Sequence, residues 1–257
     1  MMGFMQQLAL DTGKILREAF NQSESKIRHK GEIDIVTETD LECEELIVSR
    51  IRGKFPADGI LTEEQDTVKS ASGRRWIIDP LDGTTNFSHR FPFCAVSISL
   101  EIDGEIKYGV VYAPILDELF LAEKGKGAFL NEKKIQVSKT DKISNCLVAT
   151  GFPYDRWQKA DFYIKEFLAF TKRTQGVRRA GAAAIDLCYV ACGRLDGFFE
   201  RKLKPWDVAA GNLIIKEAGG KITQFDGADW QITEQTILAS NGIIHDEMIG
   251  ILGRAHD

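Results

Sequence analysis

The sequence predicts a mixed α/β fold, and three observations indicate it. Residues 95–130 have the pattern of short successive strands, with Asp103-Gly104 as a hairpin turn between the first two. After about residue 144, helical periodicity alternates with short apolar strands. The chain has 257 residues, 44% of them hydrophobic, which is enough for a large core. We therefore expect an α+β subdomain at 1–143 and an α/β subdomain at 144–257, within one compact unit.

The elements of the first subdomain follow from hydrophobic periodicity. Apolar residues on one face predict a helix over 6–20, and Thr39 or Asp40 is expected to cap a second helix that continues to Ile51. An apolar strand at 76–78 follows, and Pro80 is expected to stop its hydrogen-bonded ladder because proline has no N–H to donate. The other predicted strands of this half are 95–102, 106–112, 118–122 and 128–130.

The second subdomain is predicted from the same signals. The stretch 182–191 indicates a buried helix, because it is apolar on nearly every side. A helix over 208–218 is expected to end at Gly219-Gly220, a pair typical of helix C-termini. Strands are predicted at 147–150, 197–200 and 237–240, and further helices at 160–171 and 247–252.

Composition excludes several classes of protein. The net charge of −5 argues against a nucleic-acid partner, since nucleic-acid-binding domains usually carry a basic patch. We expect no membrane span and no signal peptide, because no apolar run approaches about 20 residues. Five cysteines, an odd number without a C-x-x-C motif, suggest a cytoplasmic protein. Cys188 and Cys192 share a helix face and are expected in the core, with a redox pair as the alternative.

Asp79 and Asp82 are the first candidate metal ligands. The sequence WIIDPLDGTTNF at 76–87 runs from an apolar strand into a turn, so both carboxylates can project toward one point. Two carboxylates that close repel each other, and a divalent cation removes that repulsion. The alternative is an ordinary loop, because aspartate is common in turns.

The residues after Asp82 favour a phosphate site. Gly83 and Thr84 can open a helix whose first backbone N–H groups bind phosphate, assisted by the helix dipole. A hard cation that keeps water ligands beside phosphate is most simply Mg²⁺. The chain lacks the G-x-x-x-x-G-K-[ST] motif of P-loop nucleoside triphosphatases, so phosphoryl transfer of another kind is indicated.

Two further acidic sites are candidates. Glu63-Glu64 follow the apolar pair Ile60-Leu61, just ahead of the 76–78 strand, although such an acidic pair is often only a solvated surface feature. Asp207 lies at a predicted helix start, where an aspartate is by default a cap or a partner of the helix dipole.

Ordered motifs along essentially the whole chain resemble the inositol monophosphatase family of Mg²⁺-dependent, lithium-sensitive phosphatases. The resemblance implies a layered αβαβα sandwich, shared with fructose-1,6-bisphosphatases, and a homodimer. The motifs are DIVTETD at 34–40, the Glu63-Glu64 pair, WIIDPLDGTTNF at 76–87 and KPWDVAAG at 204–211, and GAAAIDL at 181–187 resembles the bacterial members.

The resemblance also implies which residues hold metal. Glu63, Asp79 and the backbone carbonyl of Leu81 would bind one Mg²⁺. Asp79, Asp82 and Asp207 would bind a second. Glu63 would also orient water on a third, weaker ion, although Thr62 stands where the family usually has glycine. Two such metals act as a clamp about 3.5–4 Å apart on the attacking and leaving oxygens.

The remaining implied roles concern water and phosphate. Asp40 and the Thr84 hydroxyl would position the attacking water, and the backbone N–H groups of Gly83 and Thr84 would hold the phosphate. The chemistry implied is direct hydrolysis of a phosphomonoester, with no covalent phosphoenzyme. An aspartyl nucleophile at Asp79 is the disfavoured alternative, since a carboxylate bridging two cations is poorly placed to attack.

The substrate is implied less directly. Glu200 matches the family's acid that hydrogen-bonds inositol hydroxyls, unless it pairs with Arg201 or Lys202 at the surface. The segment beside the ring would be Gly181, Ala182 and Ala183.

Inositol 1-phosphate is therefore the expected substrate, with a small phosphorylated polyol or sugar as its class. Arg178 and Arg179 are either a surface or subunit contact or a site for a second phosphate. The second possibility would favour fructose 1,6-bisphosphate or a 3′-phosphonucleotide. A regulatory module associated with RNA or transcription is the alternative from a different functional class.

Two segments bear on assembly and motion. Phe91-Pro92-Phe93 and Phe198-Phe199 are apolar and are either interface or core. The segment 30–39 resembles a mobile loop that closes on metal.

Overall fold

Two large sheets and seven helices form alternating layers in the part of the chain that the structure describes. It is a computed structural model, and it describes residues 1–22, 27–29, 35–64 and 67–256. The helices are α1 (Met2–Phe20), α2 (Glu38–Lys54), α3 (Thr84–Ser88), α4 (Arg156–Thr171), α5 (Ala183–Ala191), α6 (Pro205–Glu217) and α7 (His245–Gly253).

The strands fall into one small and two large sheets. Those of the small sheet and of the first large sheet are β1 (Ile27–His29), β2 (Ile35–Thr37), β3 (Gly59–Thr62), β4 (Arg74–Asp82), β5 (Ala95–Ile102), β6 (Glu105–Ala113), β7 (Glu118–Glu123), β8 (Gly127–Leu130) and β9 (Lys133–Ile135). Those of the second large sheet are β10 (Leu147–Thr150), β11 (Gly176–Arg178), β12 (Gly197–Arg201), β13 (Lys221–Thr223) and β14 (Thr236–Ser240).

The two large sheets have different topologies. The seven-stranded sheet follows chain order from β3 to β9, and only its β3–β4 pair is parallel. The five-stranded sheet has the order β11-β10-β12-β14-β13, with β10 parallel to both of its neighbours. The first half of the chain is therefore built mainly from antiparallel hairpins and the second mainly from helical crossovers, as the sequence predicts, although β13 and β14 also pair antiparallel.

The layers alternate as αβαβα. α1 and α2 cover one face of the seven-stranded sheet, and α5 and α6 lie between the two large sheets. α4 and α7 cover the outer face of the five-stranded sheet. This confirms the predicted sandwich. The first large sheet ends at Ile135 and the second begins at Leu147, on either side of the predicted boundary. Because α5 and α6 also pack on the first sheet, the division into two subdomains stays a prediction.

Three apolar clusters fill the spaces between these layers. Successive residues of a strand belong to different clusters because side chains alternate between faces. Val110 packs toward α1 and α2, whereas Val111 packs toward α5 and α6. Phe198 and Phe199 are likewise buried in two different clusters, so of the two alternatives, interface or core, the core is confirmed for them. Phe91 is 51% exposed.

Helix ends explain where the sequence prediction was inaccurate. α2 is capped by Thr37 rather than by Thr39 or Asp40: Thr37 lies in β2 and accepts a hydrogen bond from the Asp40 backbone N–H. α6 begins at Pro205, because proline at the first helical position loses no hydrogen bond. α6 ends at Glu217, one residue before the predicted end. Gly219, just after the helix, adopts a φ of +88°, as is typical of glycine at a helix C-terminus.

Other predictions are confirmed with shifted bounds. Asp103 and Gly104 form the predicted turn, with φ values of 51° and 81°. All five cysteines are free thiols. Cys188 belongs to the apolar cluster between the two large sheets and Cys192 packs against it, which confirms their expected place in the core. Within the described ranges, no helix is long and apolar enough to cross a membrane. The predicted loop at 30–39 includes residues 30–34, which lie outside the described ranges.

A buried aspartate anchors the edge of the seven-stranded sheet. Asp58 is 3% exposed and accepts hydrogen bonds from the Trp76 indole N–H at 2.9 Å and the Ser72 hydroxyl at 2.7 Å. Arg74 forms an ion pair with it at 2.9 Å. We expect Asp58→Ala to lower the free energy of unfolding by about 3 kcal/mol. The substitution leaves the Trp76 and Ser72 hydrogen-bond donors and the Arg74 cation without their carboxylate partner.

Equilibrium unfolding in urea measures this effect. Asp246→Ala is the matched control: its carboxylate is 88% exposed and forms a surface pair with Lys221, so its loss should change stability little. An unfolding midpoint and slope equal to those of the native protein for Asp58→Ala would contradict the prediction.

Candidate active site

The end of β4 brings two aspartates to one cavity. In a regular strand, residues three apart face opposite sides of the sheet. The pairing of β4 with β5 is irregular between Asp79 and Asp82, with Asp79 opposite Ser97 and Asp82 opposite Ala95. This irregularity allows both aspartates to line the same cavity. Pro80 therefore lies inside β4, which continues to Asp82. The ladder is interrupted between Asp79 and Asp82 and then resumes, so the prediction that Pro80 ends it is wrong.

Gly83 makes the following turn possible. Its φ of +89° is in the left-handed region, and a Cβ there would lie 2.9 Å from the Phe93 carbonyl oxygen and 3.3 Å from the Ala182 Cβ. α3 begins directly after it, at Thr84. The first N–H groups of a helix have no intrahelical acceptor, so those of this turn can donate to a ligand.

Thr84 connects this turn to α2. Its hydroxyl lies 3.0 Å from an Asp40 carboxylate oxygen and 3.1 Å from the Leu81 carbonyl oxygen. The other oxygen of Asp40 accepts hydrogen bonds from the backbone N–H and the hydroxyl of Thr37. Asp40 is 1% exposed and lies behind Thr84, outside the cavity lining. One oxygen of Asp40 is thus used by its own helix cap, and the other holds Thr84.

Asp207 also serves both its helix and the cavity. It lies in the first turn of α6 and accepts a hydrogen bond from the Lys204 backbone N–H at 2.7 Å. It also lines the cavity. The capping and cavity-facing interpretations of Asp207 are therefore compatible, because capping uses only one of its two carboxylate oxygens.

The first turn of α5 joins the same cavity. Asp82 accepts a hydrogen bond from the Ala184 backbone N–H at 2.7 Å, and an anion at this end of a helix is favoured by the helix dipole. Gly181, Ala182 and Ala183 line the cavity beside it.

Glu200 enters from the five-stranded sheet. It makes no surface pair with its neighbours, because Arg201 pairs with Glu166 at 2.6 Å and Lys202 pairs with Asp155 at 2.5 Å. The possibility of a surface ion pair for Glu200 is therefore wrong. A Cβ on Gly151 would lie 2.1 Å from a Glu200 carboxylate oxygen, so the absence of a side chain at residue 151 is what admits Glu200.

One cavity of about 380 Å³ collects nearly all the predicted site residues. Asp40 is the exception, and the roles of all of them stay predictions. The predicted residues lining the cavity are Glu63, Asp79, Leu81, Asp82, Gly83, Thr84, Gly181, Ala182, Ala183, Glu200 and Asp207.

Sequence reasoning missed two features of this region. Glu44 is fully buried and accepts hydrogen bonds from the Thr62 hydroxyl at 2.6 Å and the Glu64 backbone N–H at 3.0 Å, which holds the strand end that carries Glu63. Its spacing of four from Asp40 was the available signal, because it puts both acids on one helix face. Arg156 also lines the cavity, and no local pattern indicated it.

Burial and mutual repulsion dominate the electrostatics of these acids. Burial, followed by the charge of Glu63, raises the pKa of Asp79 well above its usual value. Burial and the charge of Asp207 do the same for Asp82. Burial raises the pKa of Asp207 to about 6. These raised pKa values mean that the surroundings do not supply enough positive charge to stabilise the ionised form of each carboxyl.

The chemical type of these side chains suits a hard cation, but their spacing in the structure is wider than a bound cation would need. In the ranges that the structure describes, no three Asp, Glu, His or Cys side chains are grouped closely enough to hold a metal ion. The donors around the cavity are all oxygens, from Glu63, Asp79, Asp82, Asp207 and the Leu81 carbonyl, which is the set that Mg²⁺ prefers. The raised pKa values show that added positive charge would be favourable there.

Comparison with known proteins decides the family. The model of the inositol monophosphatase family matches residues 1–256. This chain belongs to the inositol monophosphatase family. The enzyme is accordingly a phosphatase, and the family is generally metal-dependent.

Several named proteins are similar to this chain over most of their length. The chain is 47% identical over 225 residues to an inositol-1-monophosphatase of Synechocystis, and the match covers 87% of this chain and 78% of that protein. It is 41% identical to a putative Nus factor SuhB of Neisseria meningitidis, covering 93% and 92% of the two chains. The crystal structure of extragenic suppressor protein suhB from Bartonella henselae matches with a TM-score of 0.94 at 40% identity, covering 98% of each chain.

The raised pKa values predict how Mg²⁺ binding depends on pH. Protons and Mg²⁺ compete for the same carboxylates, so Mg²⁺ should raise the melting temperature more at about pH 7.5 than at about pH 5.5. Without metal, the folded state holds protons that the unfolded state releases, because burial raises the pKa of Asp207 to about 6. The contribution of Asp207 to stability therefore falls as pH rises from its unfolded pKa of about 4 through about 6.

Thermal melting with and without Mg²⁺ across this pH range measures the competition. Titration calorimetry in two buffers of different ionisation enthalpy counts the protons released. On binding Mg²⁺, the Asp207→Asn variant should release fewer protons than the native protein. A Mg²⁺ stabilisation that is independent of pH would contradict the expectation.

Proposed function

We propose that this phosphatase hydrolyses inositol 1-phosphate to inositol and phosphate in a Mg²⁺-dependent reaction with two or three ions. The observation that carries the proposal is that one cavity is lined both by the oxygen donors of a cation site and by Glu200, an acid able to bind hydroxyl groups. The Synechocystis relative named inositol-1-monophosphatase supports the choice of substrate.

The acids of the chain define the metal-binding end of the cavity. Glu63, Asp79 and the Leu81 carbonyl would hold one ion, and Asp79, Asp82 and Asp207 a second. Bound Mg²⁺ would neutralise phosphate charge, lower the pKa of water and stabilise the leaving oxygen.

Other residues of the chain bind and orient the reactants. The backbone N–H groups of Gly83 and Thr84 donate to the phosphate oxygens. The Thr84 hydroxyl, held by Asp40 at 3.0 Å, orients the attacking water. The oxygen of water forms the new P–O bond as the ester P–O bond breaks, and a proton given up by that water passes, net, to the leaving inositol oxygen.

The polyol end is formed by the second half of the chain. Glu200 accepts hydrogen bonds from ring hydroxyls, and the small side chains of Ala182 and Ala183 leave room beside the ring. Burial and the charge of Asp186 raise the pKa of Glu200 well above its usual value, so this carboxyl retains a proton more readily and can also donate to a hydroxyl.

Phosphate release from a small panel tests the proposal. The substrates are inositol 1-phosphate, fructose 1,6-bisphosphate, adenosine 3′,5′-bisphosphate and an aryl phosphate, each with and without Mg²⁺. Preference for inositol 1-phosphate with an absolute need for Mg²⁺ supports the proposal. No release from inositol 1-phosphate by protein shown to bind Mg²⁺ overturns it.

Lithium gives a separate prediction. We expect Li⁺ to inhibit at micromolar to millimolar concentration, from the family resemblance and because a small monovalent cation can occupy an oxygen site built for Mg²⁺. A titration of Li⁺ at fixed Mg²⁺ measures this, with Na⁺ at equal ionic strength as the control. Equal effects of Li⁺ and Na⁺ would contradict the prediction of lithium sensitivity, but they would leave the assignment as a phosphatase unchanged.

A second candidate function is favoured by the relative named as a putative Nus factor. The alternative is a regulatory role associated with RNA or transcription, which the net charge of −5 disfavours for direct RNA binding. RNA binding that weakens steeply with salt would support this role.

A cytoplasmic location and a homodimer stay proposals, and gel filtration with light scattering tests the dimer.

A further inference from the structure

Lys202 has a backbone conformation that a residue with a long side chain rarely adopts. Its φ is +61°, in the left-handed region that favours glycine. It directly follows β12, lies two residues after Glu200 and lines the cavity. In the described part of the chain, the other non-glycine residues with a positive φ lie outside the cavity lining: Arg90, Asp103, Asp117, Asn131 and Glu132. An unfavourable conformation beside a functional site persists only where its surroundings hold it.

Asp155 is the side-chain partner of Lys202, and it also departs from its usual role. It is the N-cap residue of α4, where an aspartate normally accepts a hydrogen bond from a helix N–H, but its side chain makes no such bond. One of its oxygens instead accepts a hydrogen bond from the Lys202 ammonium group at 2.5 Å. The other accepts one from the Tyr163 hydroxyl at 2.7 Å. Each member of the pair therefore gives up a favourable local arrangement and contacts the other.

Further contacts fix both members of the pair. The Lys202 backbone N–H donates to the Gln235 carbonyl oxygen at 2.7 Å, which continues the pairing of β12 with β14 by one residue. Tyr163, which holds Asp155, is buried. Hydrogen bonds from Lys202 and Tyr163 lower the pKa of Asp155, so the pair stays charged at neutral pH. These contacts together hold the Lys202 backbone in the left-handed region.

The pair joins the two loops that border Glu200. β10 and β12 are parallel neighbours, so the loops that follow them leave the sheet at the same edge. The loop after β10 covers residues 151–155, and Gly151 lies against the Glu200 carboxylate. The loop after β12 begins at Lys202, and both loops line the cavity. A charged contact between these loops therefore limits how far apart they can move, and with them the width of the cavity beside Glu200.

We propose that the Lys202–Asp155 pair fixes the width of the polyol end, so that the enzyme selects phosphomonoesters of a single-ring alcohol over those of a larger one. The inference rests on the proposed function, because it concerns the alcohol whose hydroxyl groups Glu200 binds. A cavity end held at one width leaves room for one ring beside Glu200. A second ring attached to the first would have to displace the two loops, which the ion pair opposes.

Steady-state kinetics measure this selectivity as a ratio of kcat/KM values. The single-ring substrate is inositol 1-phosphate and the two-ring substrate is trehalose 6-phosphate, each with Mg²⁺. Lys202→Gly and Asp155→Ala should each raise kcat/KM for trehalose 6-phosphate about tenfold relative to that for inositol 1-phosphate. Lys202→Arg should keep the native ratio, because its longer cation can still pair with Asp155.

Lys159→Gln is the matched control. Lys159 also pairs with Asp155, at 3.2 Å, but its side chain is 56% exposed and lies outside the cavity lining. Its loss should leave both kcat/KM values within about twofold of those of the native protein, since an exposed pair contributes little. A gain on trehalose 6-phosphate as large in Lys159→Gln as in Lys202→Gly would contradict the role of Lys202.

Thermal melting tests the pair without any substrate. Lys202→Gly relieves the backbone and also removes the ion pair. In the Asp155→Ala background the pair is already absent, so Lys202→Gly should raise the melting temperature by about 2–4 °C. In the native background it should raise the melting temperature by less, or lower it. Equal shifts in the two backgrounds would show that Lys202 and Asp155 are not coupled and would overturn the inference.

The two measurements separate this inference from the proposed function. Coupling in the melting experiment together with an unchanged selectivity ratio would overturn the role in specificity. A changed ratio that comes only from a loss on inositol 1-phosphate would overturn it too, because the pair would then merely position Glu200. If the native protein hydrolyses no inositol 1-phosphate, the proposed function fails. The aryl phosphate then becomes the single-ring reference, and the same ratio still tests the pair.

Discussion

Asp79→Asn and Asp207→Asn are each expected to lower the turnover number for inositol 1-phosphate about 10²–10³-fold and to weaken its dependence on Mg²⁺. Asparagine keeps the shape of the side chain and removes the charge. In Asp79 it also retains an oxygen that can accept the 2.9 Å hydrogen bond from the Leu81 N–H. The loss therefore reports the missing negative charge rather than a misfolded turn.

Stability gives a second measurement on the same variants. Burial and the charges of Glu63, Asp82 and Asp207 raise the pKa of Asp79, so its ionised form is unfavourable without metal. We expect metal-free Asp79→Asn to melt at a higher temperature than the metal-free native protein at neutral pH, because a buried repulsion is gone. The same variant should gain less stability from added Mg²⁺.

The control for both measurements is Asp246→Asn, an exposed aspartate outside the cavity. Phosphate release and thermal melting are measured over a Mg²⁺ titration for all three variants. Near-native turnover in folded Asp79→Asn or Asp207→Asn would refute the metal assignment of that residue.

Thr84→Ala is expected to lower kcat about 10²-fold while KM changes little, because the lost hydroxyl orients water rather than binding substrate. Thr84→Ser should recover most of the activity, since it keeps an oxygen that can reach Asp40 and the Leu81 carbonyl. Asp40→Asn should resemble Thr84→Ala. The double variant should be little worse than either single one, because the two residues act as a unit.

Ser88→Ala is the matched control on α3. Its hydroxyl bonds only to the Thr85 carbonyl of the same helix among the described contacts, and Ser88 does not line the cavity. An additive loss in the Thr84 and Asp40 double variant, or a rise in KM with unchanged kcat, would contradict the assignment to water positioning.

Much of the fold was predictable because each signal is local. The predicted strand 147–150 has the bounds found for β10, and the hairpin at Asp103-Gly104 has the expected φ values. Such signals report side-chain alternation and turn chemistry within a few residues. Predicted bounds failed where a cap or a bulge depends on partners, as at Thr37 and around Pro80.

The candidate site was predictable for a different reason. Asp79, Asp82, Gly83 and Thr84 are consecutive or nearly so, and a strand that ends in a turn is visible in the chain itself. Asp40 and the choice of Glu63 over Glu64 came only from resemblance to the family. Arg156 was not predicted, because nothing in its own neighbourhood distinguishes it from a solvated surface arginine.

The sequence by itself determined the order of the helices and of the strands β4–β8, β10, β12 and β14, the alternation of buried faces, and the acidic end of β4 with the turn after it. The three- and four-residue strands β1, β2, β3, β9, β11 and β13 were not predicted. Only the tertiary structure decided that Glu200, Arg156 and Arg179 share a cavity with that turn, and that Phe198 and Phe199 are core. The physical reason is that α5 and α6 are buried between two sheets formed by different halves of the chain. That packing, rather than any local pattern, brings residues about 100 positions apart into contact, as in the 2.7 Å hydrogen bond from Ala184 to Asp82.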